Sequence, residues 1–138
     1  MLWGALRGIY LNPSKWKSFA SAVNDREYLA LLSFLPLKSY WMIPQFIKYT
    51  AEIERQLSAS SGLVGYSLQA QPLSRKFWTL SVWEDEQALM EFVVRSPHAP
   101  VMQNLLPHMG ATKFTRWAIK GAHLPPDWRE AKKRMAEE

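Results

Sequence analysis

The chain has 138 residues, 48% of them hydrophobic, a net charge of +5 and no cysteine. That length supports one domain with its own core, and the missing thiols exclude disulfides, thiolate nucleophiles and cysteine-held zinc or iron–sulfur centres. The basic balance favours anionic partners, yet the only basic cluster is Lys132, Lys133 and Arg134, and no nucleic-acid-binding motif accompanies it, so no nucleic acid is expected.

Residues 1–25 read as an extension of the main domain. Asn12 suits a helix cap and Pro13 the first helical position. Trp16, Phe19, Ala20 and Val23 then fall at helical spacing on one apolar stripe. Such a helix either packs on its own domain or offers a surface to a partner or a membrane. The opening MLWGALRGIYLNPSK has no apolar region with a cleavage site, so no signal peptide is expected. The longest apolar run, Tyr28 to Leu37, is too short to span a bilayer, and a cytoplasmic location fits.

That apolar run predicts a buried strand, with Pro36 at its end. Ile43, Phe46, Ile47, Thr50, Ile53 and Leu57 predict a helix with Pro44 in its first turn, stopped at Gly62. A second strand runs from about Leu63 to Pro72, with Tyr66, Leu68 and Ala70 on one face. The short turn Pro72 to Lys76 makes it a hairpin with a third strand, Phe77 to Trp83. Alternation divides that strand into Trp78, Leu80 and Val82 on one face and Phe77, Thr79, Ser81 and Trp83 on the other. The first face reads as core. The second mixes rings with hydroxyls, as the wall of a ligand cavity does.

Asp85 suits the cap of the next helix, with Leu89, Phe92 and Val93 inward. Ser96-Pro97 reads as a second cap, opening a helical piece with His98, Met102, Leu105 and Leu106. Lys113 to Ile119 is a fourth strand, and residues 122–138 form a tail in which Asp127 caps a short charged helix. The order is βαββαβ: an α+β, ferredoxin-like domain over residues 26–121 with a four-stranded antiparallel sheet. Both crossovers lie on one face, so the other face is expected to be bare. An aromatic-rich bare face is an aggregation hazard, which predicts a homodimer with two sheets closed into a barrel.

Ser61-Gly62-Leu63-Val64-Gly65-Tyr66-Ser67-Leu68, Phe77 to Asp85 and Ser96-Pro97-His98 with Met102 resemble the dimeric α/β-barrel superfamily. More narrowly they resemble its antibiotic-biosynthesis-monooxygenase-like group and the spheroidene-monooxygenase-like relatives, over about Tyr28 to Lys120. The family includes cofactor-independent quinone-forming oxygenases, haem-degrading enzymes and haem-dependent carotenoid oxygenases. The resemblance implies a cavity between the helices and the open sheet face. It sets Trp83 at the pocket end of the third strand, like the tryptophan of the haem degraders' W-E-[SD] motif, and His98 near a second-helix histidine.

His98, in the first turn of a helix, is expected to be a neutral imidazole. It is either a base, a haem ligand or a helix-end residue bonded to backbone. No histidine pair has metal-site spacing, and neither a hydrolase triad nor a glycine-rich phosphate loop is present. Trp83 either clamps a flat substrate or closes the barrel core. Tyr66, Thr79, Ser81, Trp117 and Met102 are candidates for the cavity wall. Arg116 either holds an anionic group of the substrate or is a solvent-facing charge. The expectation is therefore a monooxygenase-like protein acting on an aromatic or polyunsaturated apolar molecule without a cofactor. His98 is its base, Trp83, Phe77 and Trp117 its aromatic clamp, and Arg116 or Ser81 its anion stabiliser. The alternatives are a haem protein with His98 as ligand and a non-catalytic binding barrel.

Overall fold

In a computed structural model, which describes residues 13–138, the ferredoxin-like order is present. The elements are β1 (Lys17–Ser18), β2 (Glu27–Pro36), α1 (Ile43–Ser58), β3 (Leu63–Gln71), β4 (Lys76–Trp83), α2 (Glu86–Val94), α3 (His98–Leu105), β5 (Lys113–Lys120) and α4 (Trp128–Ala136). The strands form one antiparallel sheet in the order β1-β3-β4-β2-β5. β2 lies between β4 and β5, with Leu31 opposite Ser81 on one side and Arg116 on the other. Its apolar run is explained by burial on both faces. Pro36 closes it as the last residue, where a missing amide costs no ladder bond.

Local signals account for the turns and helix ends. Gly62, at φ +83°, takes the left-handed conformation that lets α1 turn back into β3. The Asp85 carboxylate accepts from the Ala88 amide at 2.8 Å, and that of Asp127 from the Arg129 amide at 2.9 Å. Ser96 differs from expectation. Pro97 itself holds the cap position of α3, with no side-chain cap bond. The Gln56 Oε1 instead takes the His98 amide at 2.9 Å.

α1, α2 and α3 cover one face of the sheet in two adjoining clusters. One gathers Phe46, Ala70, Phe77, Val101 and Leu105, and the other Leu57, Leu63, Tyr66, Trp83 and Phe92. The opposite face is not bare, which corrects the expectation. α4 lays Ala131 and Met135 on Leu32 and Leu80, with Trp128, Trp78 and Phe34 around them. Trp16, Leu124 and Trp117 complete the cover over Tyr28, Ala30, Val64 and Val82. The lone Ser67 hydroxyl ties both ends of the chain to the sheet: it donates to the Ser14 carbonyl at 2.6 Å and accepts from the Trp128 indole at 3.2 Å. With Leu32, Leu80, Ala30 and Val82 under this cover, that face is not open to pair with a second sheet.

The expected helix over Trp16, Phe19, Ala20 and Val23 is also replaced. Residues 13–23 contain no helix, and β1 pairs with β3. Asn12, its expected cap, lies outside the described residues. Backbone bonding to an open sheet edge offers more than an isolated short helix. Gly65 admits the Trp16 indole so closely that an added Cβ would lie 2.5 Å from the ring. Among the described residues, no helix is long and apolar enough to cross a membrane.

Candidate functional site

A cavity of about 390 Å³ lies between α1, α3 and the sheet. Phe46, Phe77, Val101 and Leu105 form its apolar end, and Lys17 and Glu54 are its charged wall residues. Phe46 and Glu54 are eight residues apart on α1, about 12 Å along the axis, so the space has an apolar end and a charged end.

The charged end is a three-residue cluster. Tyr66 Oη donates to Glu54 Oε2 at 2.7 Å, and Lys17 Nζ donates to the same oxygen at 3.2 Å. Lys17 Nζ is also 3.5 Å from the Tyr66 hydroxyl. Burial, then the hydrogen bond and the negative charge of Glu54, push the Tyr66 hydroxyl far above its ordinary pKa, so it stays a donor. The Phe19 ring stacks on Tyr66 with centroids 5.9 Å apart. Glu54 falls in the middle of the α1 stripe, one turn after Thr50 and one residue after Ile53. A carboxylate within an apolar stripe is the signal in the sequence that marks it. Lys17 carries no such signal, because only the β1–β3 pairing brings it there.

The expected site residues are divided among three places. Phe77, Thr79 and Met102 line the cavity. Tyr66 reaches it through Glu54. Trp83 does not line it: the side chain is 1% exposed, its Nε1 donates to Ser81 Oγ at 2.9 Å, and Phe92 packs on it at 5.2 Å between centroids. Ser81 is spent as that acceptor. Trp117 is on the opposite sheet face, with the Arg134 guanidinium 5.1 Å over its ring. Arg116 is exposed at the β5 edge and pairs with Glu86 at 3.0 Å, a surface ion pair of small energetic weight.

His98 shares the α3 stripe of Val101, Met102 and Leu105 but stands one turn short of the cavity. Its Nδ1–H donates to the Val93 carbonyl at 3.0 Å, and its ring packs against Phe92 at 4.9 Å. Trp83 and His98 are thus on one side of the sheet, held apart by Phe92. A haem ligated by His98 against Trp83 needs both on one cavity wall; neither lines the cavity between α1, α3 and the sheet, and Phe92 packs between them, so these residues do not fit that group. Among the described residues, no cluster of three or more His, Cys, Asp or Glu is placed to hold a metal ion.

Burial lowers the His98 pKa from its ordinary 6.5, opposed by the Val93 hydrogen bond. Between the lowered value and 6.5 the unfolded chain binds a proton that the folded chain does not. Stability should therefore fall as pH drops through about 6.5 and level off below the folded value. His98→Gln, which can still donate to Val93, should flatten that part of a melting-temperature profile from pH 8 to 5. An unchanged slope would place the acid sensitivity elsewhere.

The ferredoxin-like fold is shared with solved structures that include a candidate antibiotic biosynthesis monooxygenase of Caulobacter crescentus, with a TM-score of 0.59 at 15% identity, over 67% of this chain and 89% of that one. The chain belongs to the family described as domain of unknown function DUF3291, whose model matches residues 42–137. No curated protein matches it in sequence. A candidate monooxygenase of Fusobacterium nucleatum superposes with a TM-score of 0.64 at 12% identity, over 76% of this chain and 50% of that one. A second, of Lactobacillus acidophilus, does so at 0.61 and 9%, over 73% and 47%. The chain spans about half the length of these two. SnoaB of Streptomyces nogalater, a cofactor-independent oxygenase, superposes at 0.54 and 14% identity, over 74% and 99%.

Proposed function

We propose that the cavity binds an apolar, ring-bearing small molecule and that the protein oxygenates it without a bound cofactor. The apolar cavity with one ionic cluster at its end carries this reading: its volume suits a drug-sized ligand, and its polarity orients one. The fold shared with a cofactor-independent oxygenase supports the reaction class. Glu54 takes the base role expected of His98, because its carboxylate lines the cavity and the imidazole does not. Lys17 stands beside it to hold the negative charge that develops on the substrate. Tyr66 positions the carboxylate. For a phenol the balance is phenol plus dioxygen giving quinone plus water. One oxygen atom enters the ring as carbonyl, and the other leaves as water with the hydroxyl hydrogen and the ring hydrogen.

The test is oxygen uptake and ligand binding with a set of polycyclic phenols and hydroquinones. Ala70, in the cavity wall opposite Phe77 in the β3–β4 pairing, is the place to fill the cavity. Ala70→Phe should abolish saturable binding and enzyme-dependent uptake together, at a stability cost of about 1–3 kcal/mol. No saturable binding by the wild-type chain, or binding untouched by the filled cavity, would sink the reading.

A further inference from the structure

Three short 3-10 turns meet at the end of the molecule where β2 leaves the sheet: Tyr40–Met42, Pro72–Ser74 and Leu106–His108. The Tyr40 hydroxyl donates to the Leu73 carbonyl. The Lys38 amide donates to the His108 carbonyl at 2.9 Å and the Leu37 amide to the Arg75 carbonyl at 2.8 Å. Trp41 stands edge-on to His108, with centroids 5.4 Å apart. These bonds hold the turns together as one surface.

Four large side chains point out of it: Tyr40 is 54% exposed, Trp41 69%, Leu73 72% and Leu106 66%. Exposing so many from one set of turns carries a cost unless something covers them. The charge around them is of one sign. Residues 36–48, 71–77 and 103–113 contain Lys38, Lys48, Arg75, Lys76 and Lys113, and neither Asp nor Glu. Among the described residues, none of these five cations takes part in an ion pair. The Arg75 guanidinium lies 4.8 Å from the Tyr40 ring, which holds it beside the apolar group.

Tryptophan and tyrosine settle at the headgroup level of a bilayer, and lysine and arginine gain from anionic lipid. None of the four apolar residues lines the cavity. They project as separate knobs, which a fluid bilayer can deform around without a matching groove. We propose that these turns dock on an anionic bilayer, with Tyr40, Trp41, Leu73 and Leu106 entering the headgroup region and Lys38, Arg75, Lys76 and Lys113 meeting lipid phosphates. The docked face adjoins the apolar end of the cavity, because Leu105 lines that end and Leu106 belongs to the surface. The proposal stands whether or not the cavity oxygenates anything.

The test is co-sedimentation of the full chain with phosphatidylcholine vesicles and with vesicles of phosphatidylcholine mixed with phosphatidylglycerol, at low and raised salt. Binding should require the anionic lipid and weaken with salt. The double variants Lys38→Gln with Lys76→Gln, and Trp41→Ser with Leu73→Ser, should each bind about tenfold or more weakly. Their circular dichroism should be unchanged and their melting temperatures within a few degrees of wild type, since all four residues are exposed and the turns keep their backbone hydrogen bonds. Lys132→Gln with Lys133→Gln, on α4, should bind like wild type. Absence of binding to anionic vesicles overturns the proposal. So does binding that survives both surface variants, as it would if residues 1–25 carried it, or binding lost in the α4 variant.

Discussion

A chain ending at Leu124 is expected to lose on the order of 5 kcal/mol of stability and to stop being a folded monomer. The tail removed carries Trp128, Ala131 and Met135, which roof Leu32, Leu80, Phe34 and Trp78. Truncating a buried methionine or tryptophan to alanine costs about 2–5 kcal/mol on its own, and the truncation removes both along with the Trp128–Ser67 hydrogen bond. That loss is comparable with the whole net stability of a domain, about 5–15 kcal/mol. The exposed face must then find another cover, and the self-complementary one is the same face of a second copy. Light scattering should give the full chain a mass near 16.0 kDa. The shortened chain should appear at double that mass or as aggregate, melting about 10 °C or more lower. A shortened chain that stays monomeric with an unchanged melting temperature would mean that α4 contributes little. A full chain that is dimeric would show that another surface joins the copies.

Glu54→Gln should lower oxygenation by about a hundredfold to ten-thousandfold, the range usual for loss of a positioned general base. It should leave the affinity for an apolar ligand within a few-fold. The two effects separate because the amide keeps the size of the carboxylate and can still accept the Tyr66 hydroxyl bond, while no longer taking a proton. Tyr66→Phe should cost less, since the base remains and only one of its two holding bonds is lost. Parallel loss of ligand affinity and rate in Glu54→Gln would point to a binding role. Full activity would return the base assignment to another residue. A matching loss in His98→Gln, with Glu54→Gln unaffected, would favour the imidazole.

The four long strands, β2 to β5, were legible in the sequence as apolar or alternating runs, whereas β1, of two residues, was not. The two faces of β4 divide as the alternation predicts. Which face meets the helices was not legible: both are apolar, and the helix residues that roof Leu80, Ala131 and Met135, lie more than fifty positions further along the chain. The extension misled because Trp16, Phe19, Ala20 and Val23 share a helical spacing by coincidence, and sheet pairing overrides it. Trp83 and Ser81 read as cavity wall from their residue types, yet each satisfies the other's hydrogen bond inside the core. Phe77 and Thr79, on the same face but nearer the other end of the strand, line open space. The difference is set by Phe92, a partner from α2 whose depth no local pattern encodes. The Lys17–Glu54–Tyr66 cluster joins three elements, so it exists only once the fold does.

The extended run beside β3 has one more effect. An unpaired strand edge is a template on which another chain can add. Here the Ser14 amide bonds the Leu68 carbonyl at 2.7 Å, and the Phe19 amide bonds the Val64 carbonyl at 2.9 Å, with the β1 pairing between them. At the far side of the sheet, β5 presents exposed Lys113, Arg116 and Lys120, whose like charges repel a second copy of the same strand. The margins are thus a two-residue strand, too short to template a neighbour, and a strand carrying exposed lysines, while the most apolar strands stay inside.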